Sequence, residues 1–434
     1  MITLDLTPKR PTISQVENAF QPAKEVSDPE KFAGRRDAVQ QAYYGLIGEG
    51  SHIAVVGNRG IGKTSLARQI SNLAVGDNDL LAKLGLAHDR KLDFLAVYFT
   101  CGESVKSSRD LLERLLTSKT CLADWIYEIP AASKAIRGYT PKVGGNLLGF
   151  EVGLSQEDKS EIERDSAMPN HSIDAVFTNV VAAIAGQGIA PDGILIVVDE
   201  FDQIEDPTGF ASFLKSLATN SPKVKFCIVG VAQDIQNLMK EHLSSDRLFA
   251  GAIIPLPSMT PVELREIIMT AERSVGHYIA FEESAAERMV SLAQGHPYMI
   301  HLLGKYAFRH AFQADQRLIT IEMVDETMRL IAERQSDPVL EGRYKKAVAS
   351  SEQREIVLKS LAETQAQQDN EIWTANAYKL ALDQGVDNAS QYVGQLVTDE
   401  YGSEIEKVRD RYYRFHDSLF AAYVRARPRL VAKI

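Results

Sequence analysis

Short unbroken runs of apolar residues recur along this chain, separated by longer stretches in which apolar residues return every three or four positions. The runs are His52-Ile53-Ala54-Val55-Val56, Phe94-Leu95-Ala96-Val97-Tyr98-Phe99-Thr100, Gly193-Ile194-Leu195-Ile196-Val197-Val198-Asp199, Val224-Lys225-Phe226-Cys227-Ile228-Val229-Gly230 and Ala252-Ile253-Ile254-Pro255-Leu256. The longest lack the alternation of a strand with one wet face, so they read as strands covered on both sides. Between them lie helical patterns, one through Val39, Ala42, Tyr43 and Leu46 and another opening at Ser65-Leu66-Ala67-Arg68. Strands alternating with helices predict an α/β three-layer sandwich around a five-stranded parallel sheet.

After Pro257 the strand-like runs stop. Thr260-Pro261-Val262-Glu263 is a helix start with Thr at the N-cap, Pro at the first turn and Glu three residues on. Helical patterns continue to about residue 334, which predicts an all-α lid. From 340 onward, helical patterns at about 352–363, 373–384 and 388–399 precede a charged, hairpin-like run at 405–415, the order of a winged-helix-like domain. A long connection at about 118–172 contains 142–154, where apolar residues alternate with Gly and a β-hairpin is expected. The expected division is therefore an N-terminal arm (1–30), a core (31–258, with the insertion at about 118–172), a lid (259–338) and a winged-helix-like domain (339–434). No repeat of 20 to 50 residues is visible.

Bulk composition narrows the picture. A length of 434 residues exceeds one ordinary core, and 45% hydrophobic with 24% charged residues is ordinary for a folded chain. A net charge of -10 argues against a general polyanion binder and confines any nucleic-acid contact to a local surface. Cys101, Cys121 and Cys227 lack the spacing of a disulfide framework or a zinc site. There is no basic-then-apolar leader pattern and no stretch near the roughly 20 apolar residues of a membrane span. The cytoplasm is the expected location.

Chemistry enters at the first strand-to-helix turn. Gly57-Asn58-Arg59-Gly60-Ile61-Gly62-Lys63-Thr64 fits GxxxxGK(S/T) in full, with a strand before it and a helix from Ser65 after it. Glycines at such a turn let backbone N–H groups wrap a phosphate, and the helix N-terminus adds the positive end of its dipole. Lys63 then bridges the β- and γ-phosphates, and the Thr64 hydroxyl ligates Mg²⁺. The third run ends in two acids, Asp199 and Glu200. Asp199 is placed to hold the metal and Glu200 to polarise a water for in-line attack on the γ-phosphate.

These motifs resemble the AAA+ and STAND branch of P-loop ATPases, in particular archaeal-type ATPases and origin-recognition-type initiators. The resemblance runs from Phe32-Ala33-Gly34-Arg35 to Tyr413-Arg414-Phe415-His416-Asp417-Ser418-Leu419-Phe420. It implies the sheet order 5-1-4-3-2 and carries further roles by position. Gly34 and Arg35 fall near the nucleotide. Gln233, beyond the fourth strand, stands where sensor 1 orients the attacking water, and Arg247 stands in the region of an arginine finger delivered to a neighbouring subunit. Gly295-His296-Pro297 resembles the GxP signature of STAND proteins, with His296 and Pro297 at the nucleotide. Each of these also has a plain reading, as loop, salt-bridge or helix-cap residues.

At the C-terminal end, the candidate recognition helix 388–400 carries no Lys or Arg and ends in Asp399 and Glu400. Lys407, Arg409, Arg411 and Arg414 follow in the hairpin, and Arg425, Arg427, Arg429 and Lys433 after it, a basic run that suits phosphate or a protein surface. The expectation is an ATP- and Mg²⁺-dependent switch that couples nucleotide state to conformation or oligomerisation. Its effector is expected on another polypeptide, and the resemblance suggests a prokaryotic defence setting. Homo-oligomerisation and DNA contact through the C-terminal domain stay open, and no membrane role is expected. The alternative is a DNA-binding initiator or transposition helper; a binding-only protein and a P-loop kinase rank below it.

Overall fold

The five apolar runs are strands of one parallel sheet: β1 (Ile53–Gly57), β2 (Phe94–Thr100), β3 (Gly193–Asp199), β4 (Val224–Gly230) and β5 (Ile253–Leu256). Their order is β2-β3-β4-β1-β5, the expected 5-1-4-3-2 read from the other edge. Every residue of β3 and β4 is buried, as their near-continuous apolar sequences require. The computed structural model describes residues 9–137, 172–231, 249, 252–334, 336–367 and 371–430. The hairpin expected at 142–154 lies outside them, as do Gln233 and Arg247. Contacts divide the chain into two units, one of Arg35–Gly57 with Lys63–Leu256, the other of Met1–Gly34, Asn58–Gly62 and Pro257–Ile434.

In the sheet unit, α2 (Arg36–Ile47), α3 (Lys63–Ala74), α4 (Ser108–Thr117), α5 (Ile173–Ala185) and α6 (Phe210–Asn220) are among the helices that alternate with the strands. Phe177 meets Phe213 edge-on at 5.5 Å and Phe226 meets Phe210 edge-on at 5.7 Å, the favoured geometry for aromatic pairs. Lys225 interrupts the apolar run of β4 for a reason the sequence hides. Its ammonium donates to the carbonyls of Gly45 (3.1 Å) and Ser51 (3.2 Å), and to that of Gly48. It thereby satisfies carbonyls that the end of α2 leaves open.

His52 is the second buried polar group of this unit. Its Nδ1 accepts from the Phe226 N–H at 3.1 Å, so Nε2 carries the proton and donates to the Leu214 carbonyl at 3.1 Å. Burial lowers its pKa to about 4, with the nearby Lys225 ammonium acting in the same direction and the Leu214 carbonyl against it. His301 in the other unit is lowered to about 4 as well, chiefly by burial. The unfolded chain therefore binds protons that these rings refuse. Stability is full above the ordinary histidine value of 6.5 and drains as the pH falls from 6.5 toward 4. Denaturant midpoints taken between pH 7.5 and 4.5 should show the loss, on the order of 2 kcal/mol per ring at pH 5. His52→Gln, less stable at pH 7.5, should show a shallower acid slope; an unchanged slope would remove His52 from the account.

The other unit is mainly helical: α1 (Ile13–Ala19), α7 (Pro261–Ser274), α8 (Glu283–Ala293), α9 (Pro297–Gln313), α10 (Ile321–Glu333), α11 (Pro338–Val348), α12 (Glu352–Gln367), α13 (Thr374–Leu382), α14 (Ala389–Leu396) and α15 (Ser418–Ala426). The expected start of α7 forms a capping box, with Thr260 Oγ1 accepting from the Glu263 N–H at 3.3 Å and Glu263 accepting from the Thr260 N–H at 2.8 Å. A two-residue parallel pair, β6 (Ala280–Phe281) with β7 (Leu318–Ile319), punctuates the helices of this unit and has no counterpart in the sequence pattern. An antiparallel sheet in the order β8-β10-β9 joins β8 (Ile372–Trp373), which lies between α12 and α13, to the hairpin of β9 (Ile405–Arg409) and β10 (Tyr412–Phe415) after α14. α12, α13 and α14 cover the helical patterns at about 352–363, 373–384 and 388–399, and β9 with β10 covers the charged run at 405–415. The N-terminal segment docks on α9, where Glu17 takes a bidentate contact from Arg309 (2.6 and 2.5 Å) and Phe20 packs edge-on against Phe308 at 5.0 Å.

Candidate functional site

β1 ends at Gly57 and α3 begins at Lys63, so both flanks of the glycine-bearing turn stand at the carboxyl edge of the sheet. α3 packs across β1, β4, β3 and β2. Its first turn, Lys63-Thr64-Ser65, leaves backbone N–H groups without helical partners and carries the positive end of the dipole. The Lys63 ammonium donates to the Gly57 carbonyl at 3.0 Å, folding the side chain back over its own turn. That bond keeps the charge at the turn, an arrangement that suits a polyanion.

β3 delivers the acids to the same edge. Val198 pairs with Ile228 and Val56 with Gly230, so Asp199 ends its strand two residues short of the level of Gly57. One strand, β4, separates them, a lateral span of roughly 10 Å at two inter-strand spacings. Asp199 is only 2% exposed. Its Oδ1 accepts from the Glu200 N–H at 2.9 Å and its Oδ2 from the Tyr98 hydroxyl at 2.7 Å. Glu200 is exposed and sits in the left-handed region at φ 54°, ψ 41°, a rare place for a residue with a side chain. The next residue explains how it is held there. Phe201 is buried against Phe210 (5.3 Å) and opens a 3₁₀ turn, which anchors the chain below Glu200 while its carboxylate faces solvent.

Two residues at this edge escaped the sequence reading. Tyr98, on β2, donates to Asp199, and the Arg68 guanidinium lies 3.5 Å from the centre of the Tyr98 ring. Arg68 follows Thr64 by four residues on α3, the spacing that puts two side chains on one helical face. That interval was the available signal. Burial, with Asp199 adding to it, raises the Tyr98 pKa well above the ordinary phenol range, so the hydroxyl keeps its proton and acts as donor.

The turn residues 58–62 group with the other unit. Ile61 is buried, whereas Asn58 and Arg59 are exposed. Gly60 has φ +70°, a conformation that favours glycine, and an added Cβ would press Leu419 Cδ2 at 2.8 Å aside. Gly62 has Pro297 Cγ as its neighbour at 4.0 Å, which brings the GxP proline beside the turn. His296 precedes α9 and is 2% exposed, with its pKa lowered to about 4 by burial against the opposing influence of Asp417 and the Ser418 backbone. Its Nδ1 makes no hydrogen bond among the described residues. Gly34 donates its N–H to Glu266 at 2.9 Å, and Arg35, also left-handed, precedes α2 and is buried.

The sequence profile of the family described as novel STAND NTPase 1 matches residues 19–399. The chain belongs to that family. It is thus a P-loop NTPase of the STAND and AAA+ type. Among solved structures, the Walker-type ATPase of Pyrococcus abyssi is similar at 14% identity, with 93% of this chain and 99% of that one covered and a TM-score of 0.52. Cdc6p from Pyrobaculum aerophilum is similar at 13% identity, 94% and 96% coverage and a TM-score of 0.45. The RuvB branch migration motor of Thermotoga maritima follows at 15% identity, 90% and 94% coverage and a TM-score of 0.41. No curated protein sequence matches. At these identities the first likeness speaks for the fold alone.

Proposed function

We propose that this STAND NTPase binds ATP with Mg²⁺ at the carboxyl edge of its sheet, hydrolyses it, and uses the change to alter its own conformation or assembly toward a protein partner. The observation that carries the reading is the shared edge: β1 ends at Gly57 and α3 opens at Lys63 and Thr64, while β3 ends at Asp199 with Glu200 next, and a single strand lies between them. The donor set suits the cation. Mg²⁺ takes one or two protein oxygens beside phosphate and water, and the buried Asp199 carboxylate with the Thr64 hydroxyl is such a pair. Among the described residues no larger cluster of metal-ligating side chains exists that would favour another ion. When bound, the cation neutralises charge developing on the phosphates. Lys63 holds the phosphates, the α3 N-terminus orients them, and Glu200 accepts a proton from the attacking water.

The C-terminal surface supports a protein partner over DNA. The cations that would meet phosphate are already engaged: Arg409 with Glu371 (2.7 Å), Arg425 with Glu363 (2.8 Å), Arg427 with Glu341 (2.8 Å), Arg414 with Glu406, and Lys407 with Asp410 (3.6 Å). Such pairs lower the net positive charge that this surface offers to phosphate. Among the described residues no helix is long and apolar enough to cross a membrane.

Nucleotide binding and solution mass, measured together with ATP, with ADP and without nucleotide, test the proposal. Wild type should bind ATP and change mass or hydrodynamic radius between ATP and ADP. Lys63→Ala should bind roughly tenfold to a hundredfold more weakly, as expected for loss of a charged hydrogen bond, and should lose that difference. A wild-type protein with no measurable affinity for ATP would overturn the reading.

A further inference from the structure

Asp199 is fixed by two donors of unlike origin. Its own neighbour's backbone N–H occupies Oδ1, and the Tyr98 hydroxyl occupies Oδ2. Tyr98 pairs with Val197 in the register of β2 with β3, so it reaches diagonally along the sheet to the acid two residues farther on. A phenol spanning that diagonal needs its ring held, and Arg68 holds it by lying over the ring face at 3.5 Å. Arg68 belongs to the same helix as Lys63 and Thr64, four residues beyond the latter. The line Arg68, Tyr98, Asp199 therefore runs from the helix at the phosphate end of the site to the carboxylate on the neighbouring strand. A carboxylate with both oxygens hydrogen-bonded cannot rotate about its terminal torsion without breaking one bond.

We propose that Tyr98, braced by Arg68, is a positioning residue that sets the Asp199 carboxylate for a nucleotide-bound divalent cation. The inference rests on the proposed nucleotide site and adds to it a control over how much Mg²⁺ the site needs. Hydrogen-bond partners of metal ligands orient them and raise metal affinity by factors of about 10 to 100. The guanidinium, placed over the ring, also polarises the phenol O–H toward the acid. Tyr98 itself contributes no ligand; it acts through Asp199.

The test is equilibrium binding of a fluorescent ATP analogue to the full chain, first in EDTA and then across a free Mg²⁺ series. Tyr98→Phe should keep the EDTA affinity within about twofold and raise the half-saturating Mg²⁺ about tenfold. Arg68→Met should move it in the same direction by less. Arg68→Met with Tyr98→Phe should match Tyr98→Phe alone, because Arg68 acts through the phenol. An unchanged Mg²⁺ midpoint in Tyr98→Phe would overturn the proposal while leaving the nucleotide site intact. An equal loss of affinity in EDTA would overturn it too, since it would mark a purely structural role. If wild type itself gains no affinity from Mg²⁺, the metal part of the proposed function falls with it.

Discussion

Glu200→Gln is expected to lower ATP turnover by about 10² to 10⁴, the range for loss of a general base, while ATP affinity stays within about threefold. The amide keeps the size and the exposed position of the side chain but cannot accept the proton of an attacking water. Phosphate release under single-turnover conditions reads the chemical step, and equilibrium binding reads the rest. The structure adds a control that a surface acid would not offer. Glu200 holds a left-handed backbone at φ 54°, a conformation costing an L-residue about 1 to 2 kcal/mol. Glu200→Gly should therefore melt at or above the wild-type temperature and still fail to hydrolyse. A Glu200→Gln protein turning over within tenfold of wild type would remove Glu200 as the base.

The second large effect lies far from that edge in sequence and concerns stability. Glu341, fully buried on α11, accepts from the Tyr423 hydroxyl (2.7 Å) and from Arg427 Nε (3.0 Å) and Nη2 (2.8 Å). The Arg427 guanidinium lies over the Tyr344 ring at 4.4 Å, and the Tyr344 hydroxyl donates to buried Glu355 at 2.7 Å. Truncating Glu341 to alanine leaves a buried cation with no counter-charge, so the loss should be about 3 to 5 kcal/mol. Replacing both partners, Glu341→Leu with Arg427→Met, removes the stranded charge and should cost clearly less than Glu341→Ala alone. Urea midpoints of the three proteins decide it. A double variant as unstable as the single one would show that packing, not charge, dominates here.

The sheet was legible because its strands are short apolar runs set between helical patterns, and the edge acids and the glycine turn mark where two of them end. Local chemistry also revealed the start of α7, since a capping box is written within four residues. What escaped was either too short or too distant. β8 is two residues long, Ile372–Trp373, and its pairing with β10 is set by the hairpin some forty residues on, so the pattern there reads as the beginning of a helix. Arg427 looked like part of a basic tail because its partner, Glu341, stands 86 residues earlier. The role of Lys225 in its apolar strand was equally invisible, because the carbonyls it meets lie some 180 residues earlier. Tyr98 was hidden for the same reason: nothing in the local alternation of β2 says that its hydroxyl meets the last residue of β3.

The strained backbone beneath Glu200 also bears on how such a protein decays over generations. A glutamate codon is one base from glycine, and glycine is the residue this backbone would relax into. Selection for robustness alone would accept that change readily, leaving a sturdier chain without the carboxylate. Retention of the acid at this position in related sequences would thus signal a demand for its carboxylate that stability does not explain.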